Sequence, residues 1–336
     1  MKQLIRFILI ILAVSLFHYA LEAQVRSVGP IGITVSDMNR SEKFYSEVLG
    51  FTKVSDEEFY GKEYEGLQGL FGLRMRVVKM RLGDEFIELT DYLTAGGRSI
   101  PETATSNDLT FQHIAIVVSD MEAAYARLKK YNVVHVSTGP QTLPVSNVAA
   151  AGIKAFYFQD PDRHNLELIW FPKGKGQNKW QTPNGKLFLG IDHTAIGISN
   201  TDKSLLFYQS LLGIEKKGDS WNNGVEQEHL NNVEGASLHI TGLRANDGPG
   251  IEFLEYLKPG PGKKYPPDSR SDDLWHWQTI LLVDNAEVTY RKLKEMNADF
   301  ISKDLVRVNN GRHRISAFIV RDPDGHAMLI KQIAVN

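Results

Sequence analysis

The sequence predicts an α+β protein built from four copies of one β-α-β-β-β unit. The first observation is that the two halves of the 336-residue chain repeat each other. Residues 38–51 read MNRSEKFYSEVLGF and residues 201–214 read TDKSLLFYQSLLGI. Residues 155–168 (AFYFQDPDRHNLEL) return as residues 317–330 (AFIVRDPDGHAMLI). Both pairs lie about 162 residues apart, the mark of a tandem duplication. The second observation is that each half divides again. IGITVSD at 31–37 resembles IAIVVSD at 114–120, and TAIGISN at 194–200 pairs more loosely with TILLVDN at 279–285. The third is periodicity: each β-branched run is followed by an amphipathic stretch, then by apolar runs broken by Gly, Asn and Pro.

The elements follow in chain order. Lys2 and Arg6 flank the start of an apolar run over 7–17 that only Ser15 interrupts, and Ala23 is a small exit residue. This pattern reads as a signal peptide over 1–23, with a mature chain from Gln24. The run is shorter than the roughly 20 residues that span a bilayer. The expectation is therefore a secreted or periplasmic protein with no membrane attachment after cleavage. Asp37, Asp120 and Asn200 stand where helix N-caps are wanted. Met121, Ala124, Tyr125 and Leu128 mark a helix over 121–132. Residues 172–188 are polar, with Pro and Gly, and read as a linker between modules at 24–171 and 189–336. Residues 258–273 are rich in Pro and Gly and read as a loop, serving as linker or lid. His164 and His326 follow DPD and read as turn residues.

Composition removes several functions. Hydrophobic residues make up 42% and charged residues 23%, which suits a globular chain. The formal net charge of −2 argues against nucleic-acid binding through overall charge. Cysteine is absent, so disulfides, thiolate nucleophiles, cysteine zinc sites and iron–sulfur clusters are excluded. Any metal must sit on nitrogen and oxygen ligands. No phosphate-binding glycine loop, serine nucleophile elbow or dinucleotide fingerprint is present.

The pattern VSD, S..FY, LG and DPD.H or DPD.N, repeated in order along residues 27–333, resembles the vicinal oxygen chelate superfamily. That group includes glyoxalase I, extradiol dioxygenases, methylmalonyl-CoA epimerase and the bleomycin- and fosfomycin-resistance proteins. The resemblance implies two glyoxalase-like modules with curved, mixed sheets, each closing two units around a metal. Ligands come from the start of the first strand and from the last strand of each unit. Transferred position by position, unit one offers Pro30 and Glu88, and unit two His113 and Glu167. Unit three offers His193 and Glu252, and unit four Gln278 and Leu329. If units two and three share a sheet, His113, Glu167, His193 and Glu252 form one complete set. Units one and four then enclose a metal-free cavity. Sequential pairing would instead leave Glu88, His113 and Glu167 in one half, and His193 and Glu252 in the other. The crossed pairing is preferred because it gathers every intact ligand.

The resemblance implies a divalent metal (Zn, Ni, Fe, Mn or Co) and no other cofactor. The implied activity is metal-assisted lyase, isomerase or epimerase chemistry on a small molecule with vicinal oxygens. It would run through an enolate-like intermediate, with Glu167 or Glu252 moving the proton. His239 is expected to face the metal funnel and Arg244 to meet a substrate carboxylate. Two alternatives stand beside this reading. One is extradiol-type ring cleavage at iron held by His113, His193 and one glutamate. The other is a non-catalytic, small-molecule sequestering protein. A four-unit chain holds what dimers build from two, so a monomer is expected.

Overall fold

The computed structural model describes residues 24–335 apart from 95, 184, 310 and 312, so the segment read as a signal peptide lies outside the described residues. Unit one comprises β1 (Val25–Val35), α1 (Met38–Glu47), β2 (Thr52–Tyr60), α2 (Lys62–Gln68), β3 (Arg74–Leu82) and β4 (Glu85–Tyr92). Unit two comprises β5 (Phe111–Val118), α3 (Met121–Lys130), the short β6 (Val134–His135) and β7 (Gln141–Thr142), β8 (Lys154–Gln159) and β9 (Asn165–Trp170). Unit three comprises β10 (Phe188–Ile198), α4 (Thr201–Leu205) running into a π-helical turn, β11 (Glu215–Asn223), α5 (Val225–Asn231), β12 (Ser237–Arg244) and β13 (Gly250–Lys258). Unit four comprises β14 (Trp277–Val283), α6 (Ala286–Glu295), β15 (Val306–Asn309), β16 (His313–Arg321) and β17 (Ala327–Val335). Units one and three thus carry an extra short helix, α2 and α5, that the periodicity did not reveal.

Local chemistry explains the helix starts. Asp37, Asp120 and Asn200 accept hydrogen bonds from the backbone N–H three residues on, each at 3.0 Å. Asn285 does the same for α6 at 3.1 Å. Each cap satisfies an otherwise orphaned helix donor and is worth about 1 kcal/mol.

The chain forms two sheets, and each draws on both halves. One runs β15-β16-β17-β14-β1-β4-β3-β2 and joins units four and one. The other runs β11-β12-β13-β10-β5-β9-β8-β6 and joins units three and two. The stretches 24–171 and 189–336 are repeats in sequence, not separate sheets. One face of each sheet shares a core: Ile31 and Ile33 of β1 meet Ile114 and Ile116 of β5, with Tyr45, Leu128, Tyr208 and Leu293 from the helical segments. Phe111 and Trp277 stack across the sheets with centroids 4.1 Å apart and planes within 2°. The opposite faces carry separate small clusters and are free to line sites.

The repeated motifs tie the sheets together. The Tyr45 hydroxyl donates to Asp160 at 3.2 Å, and His164 Nδ1 lies 2.9 Å from the same carboxylate. The second half repeats this with Tyr208, Asp322 and His326, at 3.0 and 2.9 Å. Ser36 N–H donates to Asp162 and Ser199 N–H to Asp324, at 3.0 and 2.9 Å. The FY, VSD and DPD.H residues are therefore structural clamps. The loop over 258–273 is pinned rather than poised: Tyr265 accepts the Phe111 N–H at 2.9 Å, and Arg98 pairs with Asp268 and Asp273 at 3.0 and 2.7 Å. Among the described residues, no helix is long and apolar enough to cross a membrane.

Candidate metal centre

The site is fixed by strand register. At the β5–β10 junction Ala195 lies opposite His113, and Ala115 opposite His193. On the outer side Ala115 pairs with Glu167, and Ala195 with Glu252. Side chains that are directly opposite, or two apart along a strand, share a face. His113, Glu167, His193 and Glu252 therefore converge on one face around a near-twofold axis. Ala115 and Ala195, both fully buried, occupy the middle, where a larger side chain would fill the space.

The distances match this reading. His113 Nε2 lies 3.1 Å from Glu167 Oε2, and His193 Nε2 lies 3.6 Å from the same oxygen. Glu252 Oε2 is 3.4 Å from His193 Nε2. The ligand atoms of His113, Glu167 and His193 all lie within 4.8 Å of one another. Both Nε2 atoms are buried, and neither makes a hydrogen bond. A buried imidazole nitrogen without a partner, facing carboxylate oxygens, is a donor set suited to a divalent cation. The residues present therefore fit a metal.

The far side of each imidazole is held. His193 Nδ1 lies 3.1 Å from Asp192 Oδ2, and His113 Nδ1 contacts Gln112 Oε1. Asp192 in turn accepts from Trp180 Nε1 at 2.6 Å, Gln177 Nε2 at 3.0 Å and Arg244 Nη2 at 2.8 Å. Partners of this kind orient a ligating histidine and raise its basicity. Electrostatics point the same way. Burial opposes protonation of His193, but Glu252, Asp192 and Glu167 outweigh it and raise its pKa to about 9. Burial also pushes the Glu252 carboxyl above its ordinary value; His193 opposes this and Glu167 adds to it. The pocket thus demands positive charge. Asp192 is held well below the usual carboxylate range: its burial acts the other way, but His193 and Arg244 prevail.

The wall above the four residues is mostly apolar. The Tyr157 ring centroid is 4.7 Å from that of His113. Leu238, Leu254 and Tyr256 pack with Ala195. A chain of amides enters this wall: Asn147 Nδ2 donates to Asn222 at 2.6 Å, Asn222 Nδ2 to Gln227 at 3.0 Å, and Gln227 to Asn231. Asn231 lies beside the Tyr157 phenol, and its Nδ2 is buried without a partner.

The structure brings His113, Glu167, His193 and Glu252 together and leaves His239 elsewhere. His239 stacks on Trp221, with centroids 4.2 Å apart, and lies 2.8 Å from Asp219. It pairs with Glu255 rather than Glu252, so pleating turns it to the opposite face of β12. Arg244 lies on the Glu252 face of β12, and its guanidinium is bound to Asp192, where it supports His193. Pro30 and Leu329 offer no ligand atom; Glu88 and Gln278 lie in the other sheet. Sequence reasoning missed Asp192, Gln112 and Trp180. A polar residue directly before each ligating histidine was the available signal. Trp180 sits in the segment read as a plain linker, yet it is buried on Asp192.

The family model for the Glyoxalase/Bleomycin resistance protein/Dioxygenase superfamily matches residues 27–168 and 190–330. A 2-epi-5-epi-valiolone epimerase from Actinomyces sp is 29% identical over 153 residues, covering 44% of this chain and 81% of that protein. Glyoxalase I of Saccharomyces cerevisiae is 27% identical over 202 residues, covering 54% of this chain and 55% of that protein. The crystal structure of glyoxalase I from Zea mays superposes with a TM-score of 0.60 at 15% identity, covering 91% of this chain and 92% of that one.

Proposed function

Because the chain belongs to the glyoxalase/bleomycin resistance protein/dioxygenase superfamily, we propose that it is a metal-dependent lyase, isomerase or epimerase acting on a small molecule with two adjacent oxygens. The observation that carries this is the convergence of His113, Glu167, His193 and Glu252, with both imidazole Nε2 atoms buried and unbonded. These four residues would hold the metal. When bound, it supplies Lewis-acid stabilisation of negative charge on the substrate's oxygens. Asp192 and Gln112 fix the two imidazoles so that their Nε2 atoms face inward. Tyr157, Leu238 and Leu254 exclude water and shape the wall. Glu252 is the most open of the four, its side chain 27% exposed, and so is best placed to meet a substrate C–H. It takes the proton beside a carbonyl and returns it, the work of a general base and then acid.

Purified protein is expected to carry about one divalent metal per chain and to lose it in His193→Ala. With a small α-hydroxyketone in D2O, NMR is expected to show deuterium entering at the carbon beside the carbonyl. A wild-type protein that takes up no metal after reloading would overturn the proposal.

A second reading has its own support. His113, Glu167 and His193 alone form a two-histidine, one-carboxylate set, which suits non-haem iron and oxygen chemistry. Iron as the native metal, with oxygen uptake on a catechol, would favour it over the first.

The charged start, apolar run and small exit residue before Gln24 support export of the chain.

A further inference from the structure

The sheet joining units one and four carries a cavity of about 380 Å³ on the face equivalent to the metal centre. It holds Glu88 and Gln278 where the other sheet holds ligands, but Pro30 and Leu329 complete the set and cannot coordinate. Gln278 lies flat over Gly32, where a Cβ would come within 2.6 Å of its Cγ. The cavity is nonetheless not an ordinary apolar core. Lys79 stands directly opposite Glu88 on β3 and β4, yet the two form no ion pair. The Lys79 ammonium lies 4.6 Å from the centroid of the Phe86 ring. Lys331, on β17, also lines the cavity. Among the described residues, neither Glu88 nor Lys331 has a side-chain hydrogen bond or ion pair.

A further polar group points to a ligand. Gln68 is 4% exposed, and its Oε1 is buried without a hydrogen-bond partner. Such a group is costly unless something donates to it. Ser55, Glu57 and Thr90 also reach the lining, and an apolar wall that includes Phe59, Met75 and Leu329 makes up much of the remainder. The volume falls in the range of small-molecule sites. Glu88 and Gln68 Oε1 ask for a donor that carries positive charge. Lys79 and Lys331 ask for an anion. The apolar wall asks for a hydrocarbon body. We propose that this cavity is a metal-independent binding site for a small zwitterion with an apolar side chain, of the α-amino acid class.

The test is isothermal titration of the full metal-loaded chain with L-phenylalanine and L-leucine at millimolar concentration. Saturable binding at one site is expected in wild type and equally in His193→Ala, which separates this cavity from the metal centre. Glu88→Gln and Lys331→Met are each expected to weaken binding about tenfold or more, the usual loss for a charged hydrogen bond. Unchanged circular dichroism and metal content would show that both variants are folded. 3-Phenylpropanoate and 2-phenylethylamine, each lacking one charge, are expected to bind at least about tenfold more weakly. Three results would overturn the proposal: no binding of either amino acid, binding that disappears in His193→Ala, or either singly charged probe binding as well as phenylalanine.

Discussion

Asp192 and His193 are neighbours in the chain, yet Asp192 Oδ2 lies 3.1 Å from His193 Nδ1. Successive residues on a regular strand point to opposite faces. The register of β10 against β5 shifts between Ile191 and His193, and this bulge brings both side chains to one place. Trp180, Gln177 and Arg244 then fix the carboxylate.

Asp192→Asn keeps the shape but removes the charge behind His193. Metal affinity is expected to fall about 10–100-fold. Titration against a chromophoric chelator would measure it, and an unchanged affinity would mean that Asp192 serves the fold alone.

Glu252→Gln is expected to separate binding from chemistry. Three ligands remain in His113, Glu167 and His193, so metal stays bound with weakened affinity, while substrate hydrogen exchange slows about 10²–10⁴-fold. If Glu167→Gln instead retained metal and lost exchange, the proton-moving role would belong to Glu167.

Metal itself is expected to stabilise the chain. A ligand at 100 times its dissociation constant adds about 2.7 kcal/mol. Thermal unfolding with and without chelator should therefore show a higher Tm for the loaded protein, and no such gain in His113→Ala.

The Asp322–His326 clamp predicts a pH-dependent stability. Burial raises the Asp322 carboxyl, but His326 outweighs it and the net shift is below the ordinary 3.8. Burial lowers His326, but Asp322 outweighs it and the net shift is above 6.5. The Asp322 contribution is present above its unfolded value and is lost as pH falls through the folded one. The His326 contribution is present below about 6.5 and is lost as pH rises through its folded value. The clamp is therefore strongest between about pH 4 and 6.5. Asp322→Ala leaves His326 and Tyr208 without their partner and is expected to cost about 3–5 kcal/mol. Urea unfolding should show this deficit shrinking as pH rises; a deficit constant from pH 5 to 9 would assign it to packing.

Much of the architecture was legible in the chain. The repeats at 38–51 and 201–214, and the two DPD motifs, are visible because the same clamp is built twice: tyrosine to aspartate, aspartate to histidine. Asp37, Asp120 and Asn200 announce their helices because capping is a local interaction. His113, Glu167, His193 and Glu252 could be placed only by counting from those motifs, since the ligand positions themselves differ among the four units. The helices α2 and α5 went unseen because seven residues are too few to establish a period.

Sequence by itself determined the four units, their internal order and the residue types available for chemistry, because periodicity, caps and repeats act over short separations. Tertiary structure alone decided which units share a sheet, and so which ligands meet. That choice rests on the β5–β10 and β1–β14 pairings between strands from different halves of the chain. It also decided the fate of single side chains. His239 faces away from the centre because pleating alternates faces, and a register one residue different would have brought it in. Arg244 is bound to Asp192, and Trp180 folds back from an apparent linker to hold the same carboxylate. None of these depends on neighbours in sequence; each depends on which strand lies alongside.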